Sequence, residues 1–380
     1  MTSLSATARK CAPWLLAFAS ACGGDSSGPP APTTGTLDFH FVTTGSDIDA
    51  DGFLLSVDGA TPQAVPANGT LQLTMEHGGH SIAISGNAFN CDVNAPAAAS
   101  VTASATTAVT VQGTCTPYLS NVILYTSLQG CCKALMIARA DGLRHEQISA
   151  SDASYYGPAV SPDGQAIAVA SGPAAGGFDG IFLLDRFGKN RTKVVSRSTE
   201  DVLPTWSPDG TQLAFRSLVS TPDGDVGRIF IVNRDGSGLR QLTPDPDPGA
   251  SSVFDDTPAW CPDGSRIAFA RNGQLFMIDP SGTNMMSLGI TGGMPAWSRD
   301  GSKIVYSADG LYTMDLTFVP QRLTSSPDYL AHWSPDGHQV VFQRVDGTDS
   351  HIFRVNSDGS VASRLTNSVE NEMSPTWSPN

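Results

Sequence analysis

The sequence predicts an all-β protein, a six-bladed β-propeller closed by pairing of its N- and C-terminal strands and preceded by a small β-sandwich. Three observations carry this. A W-S-P-D-G motif and its variants recur at Val160, Trp206, Trp260, Trp297, Trp333 and Trp377, at steps of 36 to 54 residues. Each full copy is followed by short alternating apolar segments, such as "TQLAFRS" and then "RIFIVNR". The chain ends on "PTWSPN", partway through a unit used several times before.

Taken in order, residues 1–22 read as a targeting segment. Arg9 and Lys10 precede "CAPWLLAFASAC", an apolar stretch too short to span a bilayer. Ala19–Cys22 resembles a bacterial lipobox, which implies that Cys22 is lipidated; Gly23 after it implies an outer-membrane destination. Residues 23–35, rich in Gly, Ser and Pro, cannot build a core and read as a tether.

Residues 36–116 are rich in Thr, Val, Ala and Gly and run as short alternating segments, which predicts an immunoglobulin-like sandwich. Export implies an oxidising compartment, so Cys91 and Cys115 are expected to form a disulfide contributing about 3 kcal/mol through loop closure. Cys131, Cys132 and Cys261 lack the spacing of a zinc site and read as structural or free thiols.

From residue 117 onward the repeat takes over. A strand ends in Trp, Ser-Pro-Asp-Gly turns the chain, and two longer strands and a short one follow. Four antiparallel strands per unit is the pattern of a propeller blade. The segment from Asn121 to Ser149 supplies strands two to four of a blade but lacks the Trp strand. The C-terminal "PTWSPN" supplies that strand alone. Five complete units and one composite make six, and closure removes an exposed sheet edge.

The pattern PxWSPDGxxIAF…IFxVNxDGxxxRQLT resembles the TolB-type propeller repeat, which is shared with the propeller of prolyl-oligopeptidase-like peptidases. The resemblance covers Tyr118–Asn380. It implies binding of a partner protein or peptide over the loop face of the ring, and with the lipobox-like segment the expected protein is a non-enzymatic envelope lipoprotein, periplasmic or surface-facing. The chain departs from TolB itself in carrying a β-rich segment where an α/β domain precedes the propeller.

The net charge of −14 argues against nucleic acid and against anionic headgroups as partners, and for cations or basic partners. Membrane association is expected only through the lipid anchor, and a monomer is expected. Counting five back from each Trp position gives Tyr155, Asp201, Asp255, Gly292, Asp328 and Glu372, expected to ring the mouth of the central channel. Asp256, Glu200 and Glu370 lie beside them, and His332 points to the same region. A ring of carboxylates is costly without a counter-charge, so it reads either as acids held by loop amides or as an acidic funnel for a basic ligand. The alternative function is a hydrolase or lyase acting on peptide or glycan there, with Asp201, Asp255, His332 and Glu372 as acid–base candidates.

Two further patterns are weaker. "DIDADG" places Asp47, Asp49 and Asp51 at the spacing of half a calcium loop, but Leu55 cannot ligate and Asp58 replaces the bidentate Glu, so carboxylates in an exposed turn are the simpler reading. "HGGH" (His77–His80) lacks a third ligand and reads as a hairpin turn. The single G-x-S-x-G match, "GDSSG" at Gly24–Gly28, lies in the tether without a strand or helix around it. No cofactor other than calcium is suggested.

Overall fold

The computed structural model describes residues 31–48, 51–130, 132–174, 177–198, 200–222, 224–245 and 253–379. The targeting segment, Cys22 and most of the tether lie outside the described residues, as do Asp49 and Cys131. Eight four-stranded sheets make up the described chain. Two of them form the N-terminal sandwich and six form the ring.

In the sandwich, Thr34–Gly45 pairs antiparallel with Thr70–Glu76 and parallel with Thr106–Cys115. The second sheet is built on Phe53–Val57 and Gly78–Ser85. Inward-facing Leu37, Phe39, Phe41, Phe53, Leu55 and Val111 fill the space between them. Thr70–Glu76 and Gly78–Ser85 belong to different sheets, so "HGGH" is a crossover between layers and not the expected hairpin turn. His80 uses both ring nitrogens there, Nδ1 with Asp58 Oδ2 at 2.6 Å and Nε2 with Glu76 O at 2.8 Å. Cys91 and Cys115 face each other across paired strands and are disulfide-bonded.

The six blades follow in sequence order. Blade one combines the C-terminal strand Glu372–Trp377 with Val122–Gln129, Cys132–Arg139 and His145–Gln147. Its closing ladder sets Glu372 opposite Ser127 and Trp377 opposite Ile123, and Ser378 N donates to Val122 O at 2.8 Å. Blades two to six are continuous in sequence and begin at Ala153, Val202, Asp255, Gly293 and Asp328.

The repeat motif explains the local structure. In Ser-Pro-Asp-Gly the serine hydroxyl donates to the aspartate two residues on, for example Ser207 to Asp209 at 2.6 Å, and accepts the N–H of Gln212 at 2.9 Å. The same pair of bonds recurs at Ser161, Ser298 and Ser334 (their hydroxyls reach Asp163, Asp300 and Asp336). The following Gly210 takes a φ of +69°, which only glycine adopts freely. The repeat tryptophans pack between blades: Trp206, Trp260, Trp333 and Trp377 are buried, and Trp206 Nε1 donates to Ala159 O of the preceding blade at 3.0 Å.

Two faces result. The turns between strands one and two, and those between strands three and four, share the turn face. The loops between strands two and three and between blades share the loop face. The sandwich docks on the turn face at blades one and two. Asp47 accepts the Tyr118 N–H at 2.9 Å and pairs with Arg186, Arg139 pairs with Asp92 at 2.5 Å, and Arg144 donates to the carbonyls of Asn87, Ala88 and Cys91. Phe89, Tyr118 and Phe187 make tilted and edge-on ring contacts in sequence across the junction.

Candidate functional site

Each innermost strand carries the same irregularity, and the sequence explains it. Pro158, Pro204, Pro258, Pro295 and Pro375 stand two residues before the Trp position. Proline has no N–H to give the neighbouring strand, so it is accommodated where the ladder breaks and an extra residue is bulged out. The register shifts at this point in every blade, including blade six, where Ala331 replaces Pro. The residue before it takes a positive φ all round the ring: Gly157 (+60°), Leu203 (+55°), Thr257 (+50°), Met294 (+54°), Leu330 (+50°) and Ser374 (+52°). Backbone N–H groups freed by the bulge are taken up across blade boundaries. Met294 N donates to Thr257 Oγ1, and Ser374 N to Gln343 Oε1, both at 3.2 Å.

These bulges line the central channel, with a cavity of about 80 Å³. That is room for two or three waters at roughly 30 Å³ each. Its walls are Pro, Ala, Thr, Ser and aliphatic residues, with His332 as the one ionisable side chain. The imidazole has no hydrogen-bond partner among the described residues. It is half-buried in the channel wall, and this burial pushes its pKa down to about 4, so it is neutral at neutral pH.

The carboxylates expected at the channel mouth stand elsewhere. Asp201, Asp255 and Asp328 are fully buried, Tyr155 and Glu372 are 2 % exposed, and none of the five lines the channel. Each acid is satisfied by its own chain. Arg271 grips Asp255 through two bonds of 2.6 and 2.8 Å, and Arg344 grips Asp328 through two of 2.7 Å. Asp201 accepts the N–H groups of Arg197 at 2.6 Å and Ser198 at 3.2 Å, and Glu372 meets His351 at 3.4 Å. The expected open acidic ring is thus a set of internal ties. The acids' partners are an arginine of the second strand of the same blade for Asp255 and Asp328, backbone N–H groups of the preceding loop for Asp201, and His351 of the neighbouring blade for Glu372. Gly292 packs its backbone against Tyr306.

Asp256 differs. It lies at the loop-face end of the wall, where burial raises its carboxyl pKa against the opposing pull of Arg216. Arg216 reaches Asp256 at 3.3 Å and Glu200 at 2.9 Å, which ties blade three to blade four. The arginines were the residues that counting along the motif missed. Their signal was present, because "IAFAR" and "VVFQR" each end in Arg 16 residues after an acid at the fifth position.

The calcium pattern also resolves into other roles. Asp47 belongs to the domain junction through Arg186 and Tyr118, and Asp49 lies outside the described residues. Among the described residues no cluster of three His, Cys, Asp or Glu side chains is placed to hold a metal ion.

Comparison with known proteins agrees with the ring. Residues 116–380 match the family described as the TolB beta propeller domain. A TolB homologue of Chlorobium luteolum is 28% identical over 167 residues, 42% of this chain and 34% of that protein. The Tol-Pal system protein TolB of Anaeromyxobacter dehalogenans is 28% identical over 120 residues, covering 32% and 25%. The chain thus spans about a third or less of the length of these relatives. The crystal structure of TolB from Acinetobacter baumannii superimposes with a TM-score of 0.57 at 20% identity, over 69% of this chain and 67% of that one. Through the repeats that build its ring, the chain belongs to the TolB beta propeller domain family.

Proposed function

We propose that the protein is a non-enzymatic envelope lipoprotein, exported and anchored through Cys22 to the outer membrane, whose propeller offers its loop face to a protein or peptide partner. The observation that carries this reading is the placement of the sandwich. It occupies the turn face and leaves the loop face and channel mouth open. The loop face also bears exposed acids outside the wall ties, at Asp179, Asp225 and Asp346, which favour a basic partner segment. A relative's own name assigns it to a Tol-Pal system, which is in keeping with a protein partner.

The hydrolase or lyase alternative finds little support. His332 is alone in a channel of about 80 Å³, and Asp201, Asp255 and Glu372 are engaged behind its wall. Photo-crosslinking in the producing bacterium tests the binding reading. A probe at Asp225 or Asp346 is expected to trap a discrete envelope protein, and a probe at Asp358 on the turn face is not. Equal trapping from both faces, or none from the loop face, would contradict it. Mass spectrometry of the mature N-terminus is expected to show an acylated Cys22; an unmodified N-terminus at another residue would remove the anchor.

A further inference from the structure

Six near-identical blades allow departures from the repeat to be read position by position, and several meet at one place. The turn between strands three and four has Gly at its third position in five blades: Gly142, Gly188, Gly236, Gly282 and Gly359, all at φ between +74° and +86°. A Cβ added to any of these would stand 2.7 to 3.2 Å from a carbonyl oxygen of the preceding blade, so those turns nest closely against their neighbours. Blade five has Phe318 at this position, with φ at +58° and the same turn hydrogen bond, Phe318 N to Asp315 O at 3.0 Å. A bulky side chain in that conformation costs about 1–3 kcal/mol and marks a place where strain has been kept. A Cβ also prevents the close nesting seen in the other five turns.

The gap this leaves is a cleft of about 600 Å³ on the turn face between blades four and five. Its walls are Met277 and Met286, which are direct cross-strand partners, with Trp297, Leu316 and Phe318. Trp297 is half-buried, whereas the other four repeat tryptophans are buried. Leu316 and Val319, in a turn that reads "LTFVP" where its counterparts read "RDGSG" or "PSGTN", are 58% and 68% exposed. Cys261 replaces the serine of the motif at the floor of the cleft, and burial pushes its thiol up to about 11, so it is neither nucleophile nor thiolate ligand.

We infer that this cleft binds a small uncharged aromatic molecule. Its volume lies in the range of small-molecule pockets. Indole and phenyl faces with two thioethers favour an aromatic ring over an aliphatic chain, through stacking and sulfur–aromatic contact. An anion is disfavoured, because Asp263 and Asp300 outnumber Arg266 at the rim and Arg266 is already paired with Asp279 at 4.0 Å. Asp263 and Asp300 accept the N–H groups of Ser265 and Ser302, and Arg266 donates to Met286 Sδ at 3.0 Å. An anionic ligand would lose its hydration and face more carboxylate than free guanidinium. The sandwich, at blades one and two, sits across the ring and leaves the entrance clear. The inference is independent of the loop-face reading.

The test is a titration of the mature protein with N-phenyl-1-naphthylamine, an uncharged fluorophore that brightens on burial. Saturable binding of one equivalent is expected. Leu316→Asp, Met286→Glu and Phe318→Gly should each weaken it at least tenfold with thermal melting still cooperative, and Val361→Asp, in the exposed turn of blade six away from the cleft, should leave it intact. The anionic analogue 1-anilinonaphthalene-8-sulfonate should bind at least tenfold more weakly. Absent or non-saturable binding, binding indifferent to all three cleft variants, or equal affinity for the anion would overturn the assignment.

Discussion

Arg271 and Arg344 stand directly across the ladder from Asp255 and Asp328, and this pairing decides what the acids can do. Both carboxylates are out of water, so deleting one partner strands a buried charge at a cost of about 3–5 kcal/mol. Arg344→Met, which leaves the Asp328 carboxylate buried without its partner, is therefore expected to lower the melting temperature steeply, while adding Asp328→Leu recovers most of the loss. Equal melting of the single variant and the wild type would show that the pair is idle. His332 gives a pH dependence of known sign. Its folded pKa of about 4 lies below the unfolded 6.5, so the unfolded chain binds the proton first. Stability then falls as pH drops from 6.5 toward 4, by about 3 kcal/mol at most. His332→Gln should flatten that part of the melting-temperature profile; an unchanged slope would assign it to other groups. The acids were legible in the sequence but their availability was not, because an Asp–Arg tie depends on a partner 16 residues away across a ladder.

At the scale of the strand, the repeated bulge is the feature that sequence periodicity hides. Alternation predicts which side chains share a face only while the ladder is unbroken. The bulge two residues before each Trp position breaks it, in blade six with Ala331 in place of Pro, so the residues beyond it leave the face that counting back assigns them. Gly157 is the one glycine among the six residues at positive φ before the break. Its added Cβ would meet the Leu203 side chain at 3.0 Å, a contact that can give way, so backbone strain should dominate in Gly157→Ala. A loss of roughly 1 kcal/mol in chemical denaturation is expected, and a gain would mean that the bulge is unstrained. The Ser-Pro-Asp-Gly turns were readable to the residue because their hydrogen bonds are local. The crossover at "HGGH" was not, since a hairpin and a change of sheet use the same local chemistry. The parallel pairing of Thr34–Gly45 with Thr106–Cys115 joins segments more than sixty residues apart and leaves no local signature.

For the whole molecule, the ring and the sandwich are joined by few groups, and Arg144 makes three of the bonds. Arg144→Ala is expected to speed proteolysis of the 116–120 connection without moving the melting of the propeller; unchanged cleavage would show that the Asp47–Arg186 and Asp92–Arg139 pairs and the aromatic contacts hold the junction without it. The cleft between blades four and five escaped the sequence reading because it lies between units that periodicity treats as identical. Ring closure was legible, since the missing strand at one end matches the surplus strand at the other. It is also the claim on which the two faces and the channel depend. Hydrogen–deuterium exchange of the intact chain measures it directly: amides in 372–378 and 122–127 should be as protected as those in 202–206, an innermost strand away from the join. Exchange there as fast as in the exposed turn 357–361 would mean that the ends are unpaired and the ring is open.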